Sequence, residues 1–171
     1  MIEEKLFLMG FMSSGKSSLG KKLAHRLDRR FIDLDKQIEK ASQRTISRIF
    51  EEDGEEVFRR LEAEQLRSIP EEDQELVISL GGGTPCYGDN LDYLKAQGSS
   101  VYLRVSEEIL IGRLRQKKAK RPLTAKLTDA ELADFVRREL SVREPYYFQA
   151  DYILASDNPS VESLTDLLNL S

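Results

Sequence analysis

The feature that most constrains this chain lies at its start, where an apolar segment runs directly into a glycine loop. The loop reads Gly10-Phe11-Met12-Ser13-Ser14-Gly15-Lys16-Ser17, which is the pattern G-x-x-x-x-G-K-[ST]. The apolar segment before it, Lys5–Met9, predicts a buried strand, and apolar residues recur at helical spacing after it, over Lys16–Leu27. Because loop amides and a helix N-terminus attract anions, this arrangement predicts a phosphate site and not an incidental glycine turn. Lys16 would reach the phosphates of a nucleotide, and Ser17 would hold Mg²⁺.

Strand-like and helix-like segments alternate along the rest of the chain. The predicted strands are Lys5–Met9, Phe31–Leu34, Leu76–Leu80, Val101–Val105 and Tyr152–Leu154. A helical stretch over 35–69 is expected to break at Gly54, and Gly98 is expected to stop a short helix. This alternation predicts one α/β domain of 171 residues with a parallel sheet covered on both faces. Ligands of such sheets bind beyond the carboxyl ends of the strands.

Composition excludes several classes of protein. Hydrophobic residues make up 40% of the chain, which argues against disorder, and a single cysteine, Cys86, excludes an internal disulfide framework. The net charge of −4 disfavours a nucleic-acid partner. There is no apolar run near the ~18 residues of a membrane span, and the N-terminus does not read as a targeting peptide. We therefore expect a cytoplasmic protein with no membrane or nucleic-acid partner.

Two carboxylates follow the second predicted strand, at Asp33 and Asp35. On an extended segment these positions share a face, so one could order Mg²⁺ through water while the other accepts a hydroxyl proton. The alternative is that Asp35 caps the helix that follows. The residues by themselves leave both interpretations open, and the nearby phosphate loop favours the functional one.

Three further features point to the same edge of the sheet. Gly81-Gly82-Gly83 follows an apolar strand, and this costly sequence favours close approach of the backbone to a ligand over a flexible turn. Arg59 and Arg143 lie in helical segments, where most arginines are ordinary surface charges. The basic segment Lys117–Lys126, which contains Arg121, is either a solvated loop or a lid over a phosphate site.

The combination of these motifs, in order and spacing, resembles the shikimate kinase family of small P-loop kinases over nearly the whole chain. The resemblance rests on Gly10–Ser17, Phe31-x-Asp33-x-Asp35, Phe58-Arg59-x-x-Glu62, Gly81-Gly82-Gly83, Arg121-Pro122-Leu123 and Arg143-x-Pro145-x-Tyr147. It implies a five-stranded parallel sheet in the order 2-3-1-4-5, flanked by helices as in P-loop NTP hydrolases. It also implies a mobile lid over about 117–126 and a substrate-binding helical region over about 35–62. The implied reaction transfers the γ-phosphate of ATP to the 3-hydroxyl of shikimate, a step of aromatic amino-acid biosynthesis.

The resemblance also implies a role for each matched residue. Catalysis would involve Lys16, Asp35 and Arg121. ATP would be bound by Gly10, Ser13, Ser14, Gly15, Lys16, Ser17, Ser18, Arg113, Arg121 and Asn158. Shikimate would be bound by Asp35, Arg59, Gly81, Gly82, Gly83 and Arg143, and Mg²⁺ would be held by Ser17 and by Asp33 through water. The chain departs from the family at Ser13, where glycine is common, and at Ser18, where threonine is common, so we expect altered detail in the phosphate loop.

Two other functions stay open from the sequence. A related small-metabolite kinase such as gluconate kinase also binds a polyhydroxy acid, although the acidic pair and the triple glycine favour shikimate. A non-catalytic ATP-binding module is disfavoured by the full set of acids, arginines and glycines. The family is commonly monomeric, so we expect a monomer. His25 and Cys86 receive no role, because a thiol without a histidine partner is weak evidence of catalysis.

Overall fold

The computed structural model describes residues 4–117 and 124–170. The five strands are β1 Lys5–Met9, β2 Arg30–Asp33, β3 Leu76–Ser79, β4 Gly98–Arg104 and β5 Tyr152–Ala155. The helices are α1 Lys16–Arg26, α2 Leu34–Ser42, α3 Ile46–Arg67, α4 Asn90–Gln97, α5 Glu107–Lys117, α6 Asp129–Tyr147 and α7 Val161–Leu167, and a 3₁₀ turn covers Thr84–Cys86. Within the described ranges, no helix is both long and apolar enough to cross a membrane.

The strands form one parallel sheet in the order β2-β3-β1-β4-β5, which confirms the expected topology. The central strands β1 and β3 are buried along their full length, and this explains why their sequences are almost continuously apolar. Leu8 of β1 pairs with Ser79 of β3, so both strands end at the same edge of the sheet. The phosphate loop and the triple glycine therefore start side by side.

The core lies on both faces of the sheet because successive residues of a strand point in opposite directions. Phe7 and Met9 pack on one face, in a cluster that includes residues of α2, α3 and α4. Leu6 and Leu8 pack on the other face, with residues of α1 and α7. A third cluster joins Phe11 to the buried faces of α5 and α6. The core thus fixes α1 and α3, which carry Lys16 and Arg59, on opposite faces of one rigid sheet.

The expected break at Gly54 is confirmed, since this residue has φ 84° and ψ 174° inside α3. A second break, which the sequence analysis missed, separates α2 from α3 at Gln43, whose φ of 55° is left-handed. Thr45 then caps α3 by accepting a hydrogen bond from the backbone N–H of Arg48. At Gly98 the prediction was incomplete, because this residue both ends α4 and begins β4.

The junction between β2 and α2 differs from the prediction at both aspartates. β2 ends at Asp33, whose Oδ1 accepts a hydrogen bond from the backbone N–H of Lys36 at 3.2 Å and so caps α2. The capping interpretation was therefore assigned to the wrong residue. Asp35 lies in the first turn of α2, so the two carboxylates do not share the face of an extended strand.

Candidate active site

The phosphate loop connects β1 to α1 through backbone conformations that glycine adopts most readily. Gly10 has φ 152° and Gly15 has φ 94°. A Cβ on Gly10 would also lie 2.9 Å from the carbonyl oxygen of Leu103. Ser13 has φ 65°, a left-handed conformation in which a serine is strained and a glycine is not. Ser13, one of the two departures from the family, thus occupies a position whose backbone conformation favours glycine.

The interior of this loop holds polar groups suited to an anion. The hydroxyls of Ser13 and Ser14 are buried and have no hydrogen-bond partner among the described residues. The Nζ of Lys16 donates to the carbonyl oxygens of Gly10 at 2.8 Å and Phe11 at 2.9 Å, and the residue is only 8% exposed. A buried hydroxyl without a partner costs free energy, and phosphate oxygens would supply the missing acceptors. These donors fit a nucleotide polyphosphate.

A cavity of about 300 Å³ opens beside the loop. Its lining includes Lys16, Ser17, Asp33, Asp35, Gly81 and Gly82, and also Met12, Ser13, Gly15, Ser18, Leu80 and Lys117. The predicted phosphate-binding and metal-binding residues therefore share one space with Asp35, Gly81 and Gly82, whereas Arg59, Gly83 and Arg143 of the predicted substrate site do not line it. Both aspartates reach it, although from the cap and the first turn of α2.

The metal-binding residues predicted from the sequence, Ser17 and Asp33, both line this cavity. The Oγ of Ser17 lies 3.2 Å from the Oγ of Ser79, the last residue of β3. In the described part of the chain, no group of three or more His, Cys, Asp or Glu side chains could by itself hold a metal ion. Mg²⁺ in phosphoryl-transfer sites needs fewer protein ligands, because phosphate oxygens and water complete its shell. Ser17 and Asp33 fit that type of site.

Asp35 has an environment that disfavours its charged form. Burial, as the largest cause, and the negative charge of Glu62 together raise its pKa to about 6, against the opposing effect of the Lys16 ammonium. A carboxyl with this pKa is ionised at neutral pH and still accepts a proton more readily than an ordinary aspartate. Asp35 therefore meets the requirements of a group that receives or orients a substrate hydroxyl.

Arg59 and Arg143 converge on the triple glycine from two helices. Arg59 donates from Nη1 to Oε1 of Glu62 at 2.9 Å, and Arg143 pairs through Nη2 with Oε2 of Glu139 at 3.1 Å. Their side chains are 12% and 14% exposed. Ordinary surface arginines are exposed, whereas these two are mostly buried. The helix-surface interpretation is therefore wrong for both. Each guanidinium has five N–H donors, which leaves capacity to bind a ligand carboxylate.

The three glycines leave room for these charged side chains. A Cβ on Gly81 would lie 2.9 Å from Oε2 of Glu62 and 3.0 Å from Oδ1 of Asp35. A Cβ on Gly82 would lie 2.9 Å from Nη1 of Arg143. All three keep φ outside the left-handed region, so it is close packing that requires glycine here. The triple glycine is a crowded junction, and the flexible-turn interpretation is wrong.

A second cavity of about 260 Å³ also borders the phosphate loop. Its lining includes Ser13, Ser14, Gly15, Ser18, Lys22, Arg113, Asn158 and Pro159. Arg113 donates to the carbonyl oxygens of Ser13 and Asp157, each at 3.0 Å. The structure thus brings together Arg113 and Asn158, two of the residues that the resemblance assigns to ATP. Arg121 and most of the expected lid lie outside the described residues.

Sequence reasoning assigned no role to several polar residues of this region. Tyr147 is fully buried, and its hydroxyl donates a hydrogen bond to the carbonyl oxygen of Gly82. Glu62 and Thr84 are also fully buried, and they bond to each other. Glu62 and Tyr147 each stand within a motif matched to the family, whereas Ser79 and Thr84 flank the triple glycine closely. That proximity was the one local signal for these two residues.

The two residues that were given no role have different environments. His25 is exposed at the end of α1. Cys86 is half-buried, and burial raises the pKa of its thiol to about 11. A neutral thiol is a poor nucleophile, so Cys86 does not have the properties of a catalytic cysteine.

Comparison with known proteins gives a consistent result. The family model for shikimate kinase matches residues 12–170. A shikimate kinase of Bacteroides fragilis is 42% identical, over 97% of each chain. The crystal structure of a shikimate kinase from Bacteroides thetaiotaomicron has a TM-score of 0.92 and 40% identity, covering 98% of this chain and 99% of that one. The shikimate kinase of Acinetobacter baumannii, solved in complex with shikimate, has a TM-score of 0.86 and 31% identity, covering 97% of this chain and 90% of that one.

Proposed function

The chain belongs to the shikimate kinase family, and we propose that it transfers the γ-phosphate of ATP to the 3-hydroxyl of shikimate, giving shikimate 3-phosphate. The observation that supports this most directly is the pair of largely buried arginines, Arg59 and Arg143, packed against Gly83 and Gly82. These glycines lie at the same sheet edge as the phosphate loop. We therefore favour shikimate kinase activity over the two alternatives left open by the sequence, gluconate phosphorylation and ATP binding without phosphoryl transfer.

Recognition of shikimate follows from its carboxylate. Planar guanidinium groups bind carboxylates through paired hydrogen bonds, and Arg59 and Arg143 present two such groups beside Gly83 and Gly82, the second of which lines the 300 Å³ cavity. We assign them to the substrate carboxylate, with the backbone of Gly81, Gly82 and Gly83 beside it. Asp35 lines the same cavity and is assigned to the substrate hydroxyls. A carboxylate and hydroxyls at opposite ends of a small ring fit this division of donors and acceptors.

ATP is assigned to the phosphate loop and the 260 Å³ cavity that borders it. The polyphosphate accepts hydrogen bonds from Ser13, Ser14 and the loop amides, with Lys16 close to the β- and γ-phosphates. Arg113 and Asn158 border the space assigned to adenine. Ser18 is exposed at the start of α1 and lines both cavities. The contribution of Arg121 from the lid stays a prediction from the resemblance.

Ser17 and Asp33 are the residues that would hold Mg²⁺. When bound, this ion would neutralise part of the negative charge on the phosphates. The Oγ of Ser79 lies 3.2 Å from that of Ser17, so a hydrogen bond between them would restrict the rotation of the Ser17 hydroxyl. Asp33 is held by its bond to the Lys36 N–H and keeps a second carboxylate oxygen for a water ligand.

In the chemical step, the 3-hydroxyl oxygen forms a bond to the γ-phosphorus as the bond to the β–γ bridging oxygen breaks and ADP leaves. The hydroxyl proton passes to Asp35. Because the transition state of phosphoryl transfer is loose, positioning and charge neutralisation dominate and a base has little to do early in the reaction. We therefore assign Asp35 chiefly to orientation of the hydroxyl, with Lys16 and Arg121 stabilising negative charge on the phosphates.

We further propose that the chain works as one domain and as a cytoplasmic monomer. Its lid would cover about 117–126, and its substrate-binding region about 35–62, which corresponds to α2 and most of α3. Light scattering during gel filtration tests the oligomeric state. A mass near 19.6 kDa is expected, and a mass of twice that value would contradict it.

The identity of the product tests the proposed reaction. Phosphorus and proton NMR of a reaction with shikimate should show one phosphomonoester, coupled to the proton at carbon 3. EDTA should stop its formation, and added Mg²⁺ should restore it. A phosphomonoester at another carbon would contradict the assignment of Asp35, and unchanged turnover in excess EDTA would contradict the metal assignment.

A further inference from the structure

A buried chain of hydrogen bonds connects the 3₁₀ turn after the triple glycine to Arg59. The Oγ1 of Thr84 donates to Oε2 of Glu62 at 2.7 Å. The other carboxylate oxygen of Glu62, Oε1, accepts from Nη1 of Arg59 at 2.9 Å. Thr84 and Glu62 are both completely buried. Each oxygen of Glu62 therefore has one donor, and one of these donors is a group assigned above to the substrate.

The backbone of Thr84 is itself held in place. Its N–H donates to the carbonyl oxygen of Gly81 at 3.1 Å, and its carbonyl oxygen accepts from Nδ2 of Asn90 at 2.9 Å. Asn90 is also buried, and its Oδ1 accepts from Nη1 of Arg67 at 2.8 Å. The hydroxyl of Thr84 therefore projects from a fixed frame, which is what a group that orients another side chain requires.

Crowding around Gly81 explains why Glu62 needs such a donor. A Cβ on Gly81 would lie about equally close to Oε2 of Glu62, Oδ1 of Asp35 and Oγ1 of Thr84, at 2.9, 3.0 and 3.0 Å. The buried Glu62 carboxylate and the Asp35 carboxylate thus stand near one another, where they repel. Without the hydroxyl, Oε2 of Glu62 would lose its donor and the carboxylate would turn toward other groups. Arg59 would then lose the acceptor that fixes its orientation.

We propose that Thr84 is a positioning residue for the substrate: its hydroxyl fixes Glu62 so that Arg59 presents its remaining N–H groups to the shikimate carboxylate. This inference rests on the proposed function. Thr84 does not itself touch shikimate in this account, and it acts through Glu62. Its removal should therefore affect shikimate binding far more than ATP binding.

The test compares Thr84→Val, which removes the hydroxyl and keeps the shape, with Thr84→Ser, which keeps the hydroxyl. Thr165→Val is a matched control, because Thr165 is also buried and donates from Oγ1 to the carbonyl oxygen of Glu162 at 2.9 Å, in α7. The measurements are shikimate Kd by calorimetry, KM for each substrate, kcat and thermal unfolding. Thr84→Val should raise the Kd and KM for shikimate about tenfold, the effect of losing a hydrogen bond to a charged group. The KM for ATP should stay within twofold, and Thr84→Ser and Thr165→Val should bind shikimate like the wild type.

Three outcomes would overturn the inference. These are wild-type shikimate affinity in Thr84→Val, equal losses in Thr84→Val and Thr84→Ser, or a loss of ATP affinity as large as that of shikimate affinity. If Thr84→Val does not fold, Thr84→Cys carries the same test, because a thiol is a weaker donor of similar size. Failure of the wild type to phosphorylate shikimate would instead refute the proposed function, so the two failures are distinguishable.

Discussion

Arg59 packs directly onto the backbone of Gly83. A Cβ at Gly83 would lie 2.5 Å from Nη1 and 2.7 Å from Cζ of Arg59, with Nη2 closer still. The guanidinium is held there by Glu62 on one side, and the aromatic ring of Phe58 lies 5.3 Å from its Cζ. A substituent at Gly83 and the present position of Arg59 are therefore mutually exclusive.

Gly83→Ala should displace Arg59 and raise the KM for shikimate at least about tenfold, since a hydrogen bond to a charged group is lost. The KM for ATP should change little. Gly112→Ala is the matched control, because a Cβ at Gly112 in α5 would meet nothing within 4 Å. That control should keep wild-type kinetics and gain about 0.5–1 kcal/mol of stability in urea unfolding, the usual effect of replacing a helical glycine. Normal shikimate affinity in Gly83→Ala would show that Arg59 does not bind the substrate.

Arg59→Ala and Arg143→Ala should each weaken shikimate binding by about 2–5 kcal/mol, as expected when one partner of a desolvated charge pair is removed. ATP affinity should be unchanged in both variants. Arg60→Ala and Arg138→Ala are suitable controls, since both residues are exposed on the same two helices. Calorimetric titration with shikimate makes the measurement. If either of the first two variants binds shikimate normally, the carboxylate assignment is wrong for that residue.

Much of the fold could be predicted because its signals are local. The glycine pattern after Lys5–Met9 predicts the phosphate loop, and the apolar strand segments alternating with helices predict the parallel sheet. The positions of Asp33 and Asp35 could not be derived correctly, because capping by Asp33 depends on where β2 ends. A change of one residue in that boundary moves Asp35 from an extended segment into the first turn of a helix.

The polar residues that support the site were harder to predict for a different reason. The hydrogen bond between Thr84 and Glu62 joins residues 22 positions apart in the sequence, and the one between Tyr147 and Gly82 joins residues 65 positions apart. Nothing in the local sequence specifies such partners, because they depend on how α3 and α6 pack against the sheet edge. Buried polar side chains need partners, so these residues can be recognised once burial is known.

Asp35→Asn should lower the kinase activity and raise the stability of the fold. Because the pKa of Asp35 is raised to about 6 in the folded state, its ionised form destabilises the fold. This destabilisation is fully present above the folded pKa and is lost below the unfolded pKa of about 4. The variant should therefore be more stable than the wild type by about 1–3 kcal/mol at pH 8, with no gain near pH 4. Thermal unfolding at both pH values measures this, and a gain independent of pH would contradict the assigned ionisation.

The turnover of the same variant distinguishes the two roles of Asp35. A general base contributes roughly 10²–10⁴ to the rate, so a loss in that range would identify one. A smaller loss of kcat together with a higher KM for shikimate is the result we expect from a group that mainly orients the hydroxyl. Steady-state kinetics at saturating ATP separates these outcomes.

Cys86 should react slowly with alkylating reagents. The pKa of its thiol is raised to about 11 by burial, so only a small fraction is thiolate at mildly alkaline pH. Iodoacetamide labelling followed by mass spectrometry should be much slower for the native protein than for the urea-unfolded protein. Kinase activity should not change with the extent of Cys86 labelling during the first stage of the iodoacetamide reaction. Equal rates in the native and unfolded states would contradict the burial and the raised pKa.

The most direct test of the central claim is ADP release from Mg·ATP, measured with shikimate, with gluconate and without an acceptor. The account predicts release that depends on shikimate, does not occur with gluconate and is nearly abolished in Lys16→Ala, which lacks the lysine held over the phosphate loop. Release driven by gluconate would keep the phosphate loop and contradict the substrate assignment. ATP binding without release in the presence of shikimate would contradict the account as a whole.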